Sequence, residues 1–128
     1  FKILPICMAL QDKNTSIKVG EAISKVARVR KTLIVASSDL THYENQKEAS
    51  YKDLKFINSI LEMNISEMYF ILQHLNVSAC GYGPIASLLA SMKNLQVNNS
   101  KLLKYATSGD VTGDKSAVVG YSSIIFVE

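Results

Sequence analysis

Apolar residues along the chain fall into unbroken runs and periodic runs. Residues 2–10 form a short apolar run interrupted by Pro5, which predicts a strand at a sheet edge or one broken near the proline. Polar residues 11–15 follow. Ser16 is placed to cap a helix over 17–30, in which Ile17, Gly20, Ala22, Ile23, Val26 and Ala27 recur on one face. Residues 32–36 are apolar without a break, the pattern of a strand covered on both faces in a parallel sheet. Helical spacing returns over 46–62, with Tyr51, Leu54, Ile57, Ile60 and Leu61 as its stripe. Asn64 and Ile65 interrupt it, and Ser66 is placed to cap a further helix over 67–75. Residues 77–84 read as a small-residue loop. Pro84 suits the first turn of a helix that carries Ile85, Leu88, Leu89 and Met92 and fades near Asn94. Residues 101–107 and 117–127 predict two more strands around a turn-rich loop, 108–115, with Gly120 a candidate bulge.

The resulting order is β-α-β-α-α-α-β-β. It implies an α/β fold: a mixed β-sheet flanked by helices, a right-handed parallel unit first and an antiparallel hairpin last. Length fits one domain of 128 residues. Four strands make a small sheet, and the first has no start of its own. The chain therefore reads as the carboxyl-terminal part, residues 1–128, of a larger α/β domain.

Composition narrows the function classes. The chain is 48% hydrophobic and 20% charged, with a net charge of +3, ordinary values for a globular protein. Its cations do not cluster as a nucleic-acid surface would require. The densest group, Lys25, Arg28, Arg30 and Lys31, falls at a helix end, where the dipole favours positive charge. No apolar run approaches the ~20 residues that cross a bilayer. The two cysteines, Cys7 and Cys80, lack metal-finger or redox spacing, and Cys7 reads as a small buried hydrophobe. A cytoplasmic protein without nucleic-acid or membrane partners is expected.

Two segments carry candidate chemistry. The apolar run 32–36 stops in Ser37, Ser38 and Asp39, with His42 three residues on. Open α/β sheets bind ligands beyond the carboxyl ends of their strands. Imidazole serves as a general acid or base near neutral pH, a neighbouring aspartate orients it, and Ser37 and Ser38 can donate hydrogen bonds to a bound oxygen. The plainer alternative is that Asp39 caps a turn and His42 is a solvated loop residue. The second segment centres on Cys80, ahead of Gly81, Gly83 and Pro84. A thiol at a helix amino terminus favours thiolate, and thiolate is also a metal ligand; a purely structural cysteine is the alternative. His74, near a helix end, reads as a surface histidine. Asp110 and Asp114 read as turn residues, since no glutamate closes a calcium loop.

Three stretches, taken in order, resemble the Memo family, whose microbial members are labelled AmmeMemoRadiSam system protein B. They are residues 36–43 (ASSDLTHY), 79–85 (ACGYGPI) and 103–110 (LKYATSGD) with 119–123 (VGYSS) following. The resemblance spans nearly the whole chain and matches the carboxyl-terminal portion of a member. It implies a fold similar to class III extradiol dioxygenases, which hold ferrous iron with two histidines and a glutamate. In Memo proteins a cysteine replaces the glutamate, and by resemblance that cysteine is Cys80. Asp39 and His42 line the same pocket by resemblance, His42 matching the acid–base histidine. The implied cofactor is iron, copper or zinc. The two histidines that complete the site belong to an amino-terminal half absent from this chain. That half is the expected partner, beside a small-molecule or peptide ligand and a homo-oligomeric copy. The alternative function is a binding protein that uses the pocket without catalysis.

Overall fold

The computed structural model describes residues 1–127. Helices α1 (Lys13–Val29), α2 (Gln46–Leu61), α3 (Ile65–His74), α4 (Tyr82–Leu95) and α5 (Gly109–Thr112) accompany strands β1 (His42–Glu44), β2 (Asn99–Thr107) and β3 (Val118–Val127). The α/β class is borne out. The sheet runs β1-β3-β2 and both of its pairings are antiparallel. The expected hairpin is β2–β3, with Asn99 opposite Val127 and Thr107 opposite Gly120.

The starts of α1, α2 and α3 are set by Asx caps. Asp12, Asn45 and Asn64 each accept the amide of the residue three positions on, satisfying a donor the helix leaves free. Ser16 and Ser66, the expected caps, do other work. Ser16 is buried and bonds the Tyr69 hydroxyl at 3.0 Å, and Ser66 accepts from Lys13 Nζ. The core lies where α2, α3 and α4 meet the sheet, around Leu40, Phe56, Ile57, Met68, Ala86 and Leu89. α1 packs on α4 through small residues. Ser87 and Ser91 hydroxyls donate to the carbonyls of Ser16 and Gly20 at 2.9 Å each, and a Cβ on Gly20 would overlap the Ser87 carbonyl.

The two amino-terminal runs are the main correction. Residues 2–10 and 32–36 form neither strand nor helix, so the parallel unit is not made among the described residues. A strand exists only where neighbouring backbone completes its ladder, and the three strands here pair only with one another. The apolar side chains of these runs stay in solvent: Ile3, Leu4, Leu33 and Val35 are 78%, 83%, 87% and 75% exposed. Cys7, expected inside, is exposed for the same reason. Gly120 is not a bulge against β2, where it pairs regularly with Thr107. A Cβ there would overlap the Asp53 carboxyl, and Asp53 is fully buried. The register shift beside it falls in β1, between His42 and Glu44.

Candidate functional site

The site is made by two loops and the start of β1. Loop 36–41 leaves the exposed apolar run and becomes buried at Leu40 and Thr41. Two hydrogen bonds fasten it to β3: Leu40 N–H to Gly120 O at 2.9 Å and Gly120 N–H to Thr41 O at 3.0 Å. The buried Asp53 carboxyl on α2 adds a third anchor. It accepts the Thr41 amide at 2.9 Å and the Tyr105 hydroxyl at 2.8 Å. Burial pushes the Tyr105 hydroxyl above its ordinary range, and the Asp53 carboxyl beside it adds to that effect. Immediately after Thr41 the chain is anchored at His42 and kinked at Tyr43, whose φ of 58° is left-handed. That residue absorbs the register shift, the usual way a bulge re-aims side chains at a strand end.

Loop 77–81 supplies the thiol. Val77 and Ala79 point into the core while Ser78 and Cys80 are exposed, so both polar side chains leave on the outer face. Cys80 lies against loop 36–41: its amide donates to the Asp39 carbonyl at 3.3 Å, and the Asp39 amide donates to Cys80 Sγ at 3.2 Å. Ser38 Oγ is 3.9 Å from the sulfur. Gly81 is required here, because a Cβ would overlap the Ser37 carbonyl. Gln11, just before α1, reaches across to the same loop. Its Nε2 donates to the Cys80 carbonyl at 3.1 Å and its Oε1 accepts the Gly83 amide at 2.8 Å.

His42 and Asp39 face each other, Nε2 to Oδ2 at 3.8 Å, with His42 the more buried of the two. On the other side of the ring Ser78 Oγ lies 3.5 Å from Nδ1 and accepts the His42 amide at 2.8 Å. The structure therefore brings Asp39, His42, Ser38 and Cys80 onto adjoining loops. Ser37 contributes its backbone to the Gly81 contact, and the Ser38 hydroxyl is engaged locally, donating to Asp39 O at 2.6 Å and accepting from Gly81 N at 2.8 Å. Ser78 and Gln11 are the residues that sequence reasoning missed. The alternation Val77-Ser78-Ala79-Cys80 was the available signal for Ser78; Gln11 left none. His74 ends α3, exposed and stacked on Phe70.

The donor set for a metal is partial. Among the described residues no three His, Cys, Asp or Glu side chains converge closely enough to hold an ion. A cavity of about 480 Å³ opens at the amino end of α2, lined by Asn45, Gln46, Lys47, Ser50 and Lys115, and its lining includes neither Asp39 nor Cys80. No helix among the described residues is long and apolar enough to cross a membrane.

A family model described as Memo-like protein matches residues 1–125. A MEMO1 family protein of Methanocaldococcus jannaschii is 54% identical over 127 residues, covering 98% of this chain and 44% of the relative. Those of Methanosarcina mazei and Nitrosopumilus maritimus are 50% and 47% identical, with 48% and 46% of their lengths covered. The chain thus spans a little under half the length of these relatives.

Proposed function

The chain belongs to the Memo-like protein family, and on that premise we propose that it contributes the cysteine, histidine and aspartate face of a metal or redox pocket. The pocket is of the class III extradiol dioxygenase kind, completed by the part of a family-length protein that this chain does not span. The observation that carries this reading is the meeting of loops 36–41 and 77–81, which puts the Cys80 thiol against Asp39 and His42 beside Asp39. Cys80 is the ligand or redox thiol, His42 takes or delivers a proton, and Asp39 orients the ring. Further ligands come from outside these residues, because the local set stops short of three. When bound, iron, copper or zinc would supply Lewis acidity or electrons at this face.

The exposed apolar runs support the same reading. Residues 2–10 and 32–36 have strand composition and unpaired backbone, and Ile3, Leu4, Leu33 and Val35 lie in solvent. Such edges pair readily with further strands. The remainder of a family-length domain is the partner proposed for them; a second copy of the chain is the rival occupant. Both cysteines are free, which suits a cytoplasmic setting.

The test joins this chain to the part of the M. jannaschii relative that it does not span, and measures bound iron, copper and zinc by mass spectrometry. About one metal per molecule is expected, with at least a tenfold loss of affinity in Cys80→Ala and in His42→Ala. Unchanged metal content in both variants refutes the reading. Full retention of fold with no metal in the parent favours the second reading, a binding pocket without redox chemistry, which the incomplete local ligand set also suits.

A further inference from the structure

The His42 ring has a polar neighbour at each nitrogen. Asp39 Oδ2 is 3.8 Å from Nε2, and Ser78 Oγ is 3.5 Å from Nδ1. Ser78 also accepts the backbone amide of His42 at 2.8 Å. One hydroxyl thus holds the residue at two points, main chain and ring. A serine hydroxyl has one proton to give and two lone pairs to offer. With one lone pair taken by the His42 amide, its proton and its second lone pair remain for Nδ1, so it can bond that nitrogen in either tautomer. On the far side of the ring the Asp39 carboxyl faces Nε2. The two neighbours thus bracket the ring from opposite sides and limit its rotation. Hydrogen-bonded partners on one imidazole nitrogen commonly set the role of the other.

We propose that Ser78 is the positioning residue of His42, fixing the orientation of the imidazole relative to Cys80. The placement of Ser78 makes this possible. It sits two residues before Cys80 on the same loop, between buried Val77 and Ala79, so the segment that presents the thiol also aims the ring. The meaning of this arrangement rests on the pocket reading above; its geometry does not.

The test is solution NMR on the protein labelled at histidine, with His74 as internal reference. In the parent, His42 shows a single χ1 rotamer and an Nδ1 shift of a hydrogen-bonded nitrogen. In Ser78→Ala the χ1 couplings average and the His42 amide exchanges about tenfold faster, the scale of one lost hydrogen bond. Ser78→Thr restores both, and Ser78→Val, the same shape without the hydroxyl, does not. His74 is unchanged throughout. A single His42 rotamer in Ser78→Ala or Ser78→Val, or no restoration by Ser78→Thr, overturns the proposal. So does an unbonded Nδ1 in the parent, a measurement that needs no variant to fold. These readouts need no metal. A failure here leaves the metal reading standing, and unchanged metal content in Cys80→Ala and His42→Ala leaves this one standing.

Discussion

Removing the Asp53 carboxyl is the most demanding test of how the candidate site is supported. Asp53 has no exposed surface, and its two oxygens accept the Thr41 amide and the Tyr105 hydroxyl. In Asp53→Ala the buried Thr41 amide loses its partner, which costs about 1–3 kcal/mol. Tyr105 is only partly buried and can turn to water, so its lost bond costs about 1 kcal/mol. The vacated space, on the order of 40 Å³, adds about 1 kcal/mol at roughly 24 cal/mol per Å³. The total is about 3–5 kcal/mol, read from urea unfolding as a lower midpoint at unchanged slope. Gly120 turns this into a sharper measurement. A Cβ at Gly120 would overlap Asp53 Oδ2, so Gly120→Ala alone is expected to cost about 1–3 kcal/mol as overpacking. In the Asp53→Ala background that obstacle is gone and the added methyl enters the vacated space. The double variant should therefore be more stable than the sum of the single effects by at least about 1 kcal/mol. Additive losses would refute the claim that this carboxyl and this glycine share one space.

Three further outcomes follow from other contacts. Asn64→Ala should lower stability by about 1 kcal/mol through the lost α3 cap, while Ser66→Ala changes it little; equal effects would contradict the cap assignment. The Tyr105 hydroxyl keeps its proton in the folded chain beyond the pH near 10 at which the unfolded chain loses it. Its contribution is whole below that pH and is lost as pH rises above it, so Tyr105→Phe should flatten the alkaline loss of stability in unfolding measured from pH 9 to 11. Asp110 is held below its ordinary 3.8 by the Thr107 amide first, then by Gln46, the Thr107 hydroxyl and Lys115. That contribution is present above about pH 4 and lost as pH falls below it, so Asp110→Asn should soften the acid limb of the same curve, and an identical limb would count against it.

The periodic runs made most of the fold legible. α2, α4, β2 and β3 lie within a few residues of where apolar spacing puts them, because each buries one face against the same core. Helix starts were less legible: serine and asparagine cap by the same geometry, and Asn64 and Asp12 lie only two and four residues ahead of Ser66 and Ser16. Runs 2–10 and 32–36 have strand composition, but composition supplies no ladder partner, and none is offered by the described residues. β1 is three residues long with a left-handed Tyr43, too short and too irregular to leave a period. At the site, Asp39, His42 and Cys80 stood out by residue type, and the fold brings their loops into contact. Ser78 and Gln11 did not stand out, since their roles come from where the fold delivers one hydroxyl and one amide.

The Gln11 side chain does at this site what a peptide group does in a sheet. It offers a donor to Cys80 O and an acceptor to Gly83 N–H at once. A carboxamide carries that pairing in one planar group; a glutamate carboxylate of the same length has nothing to give the Cys80 carbonyl. The backbone carbonyl of Gln11 is in turn held by the Tyr69 hydroxyl at 2.7 Å. Residue 11 is therefore tied to α3 through its backbone and to the peptide unit of the thiol through its side chain, so one residue fastens the entrance of α1 to both.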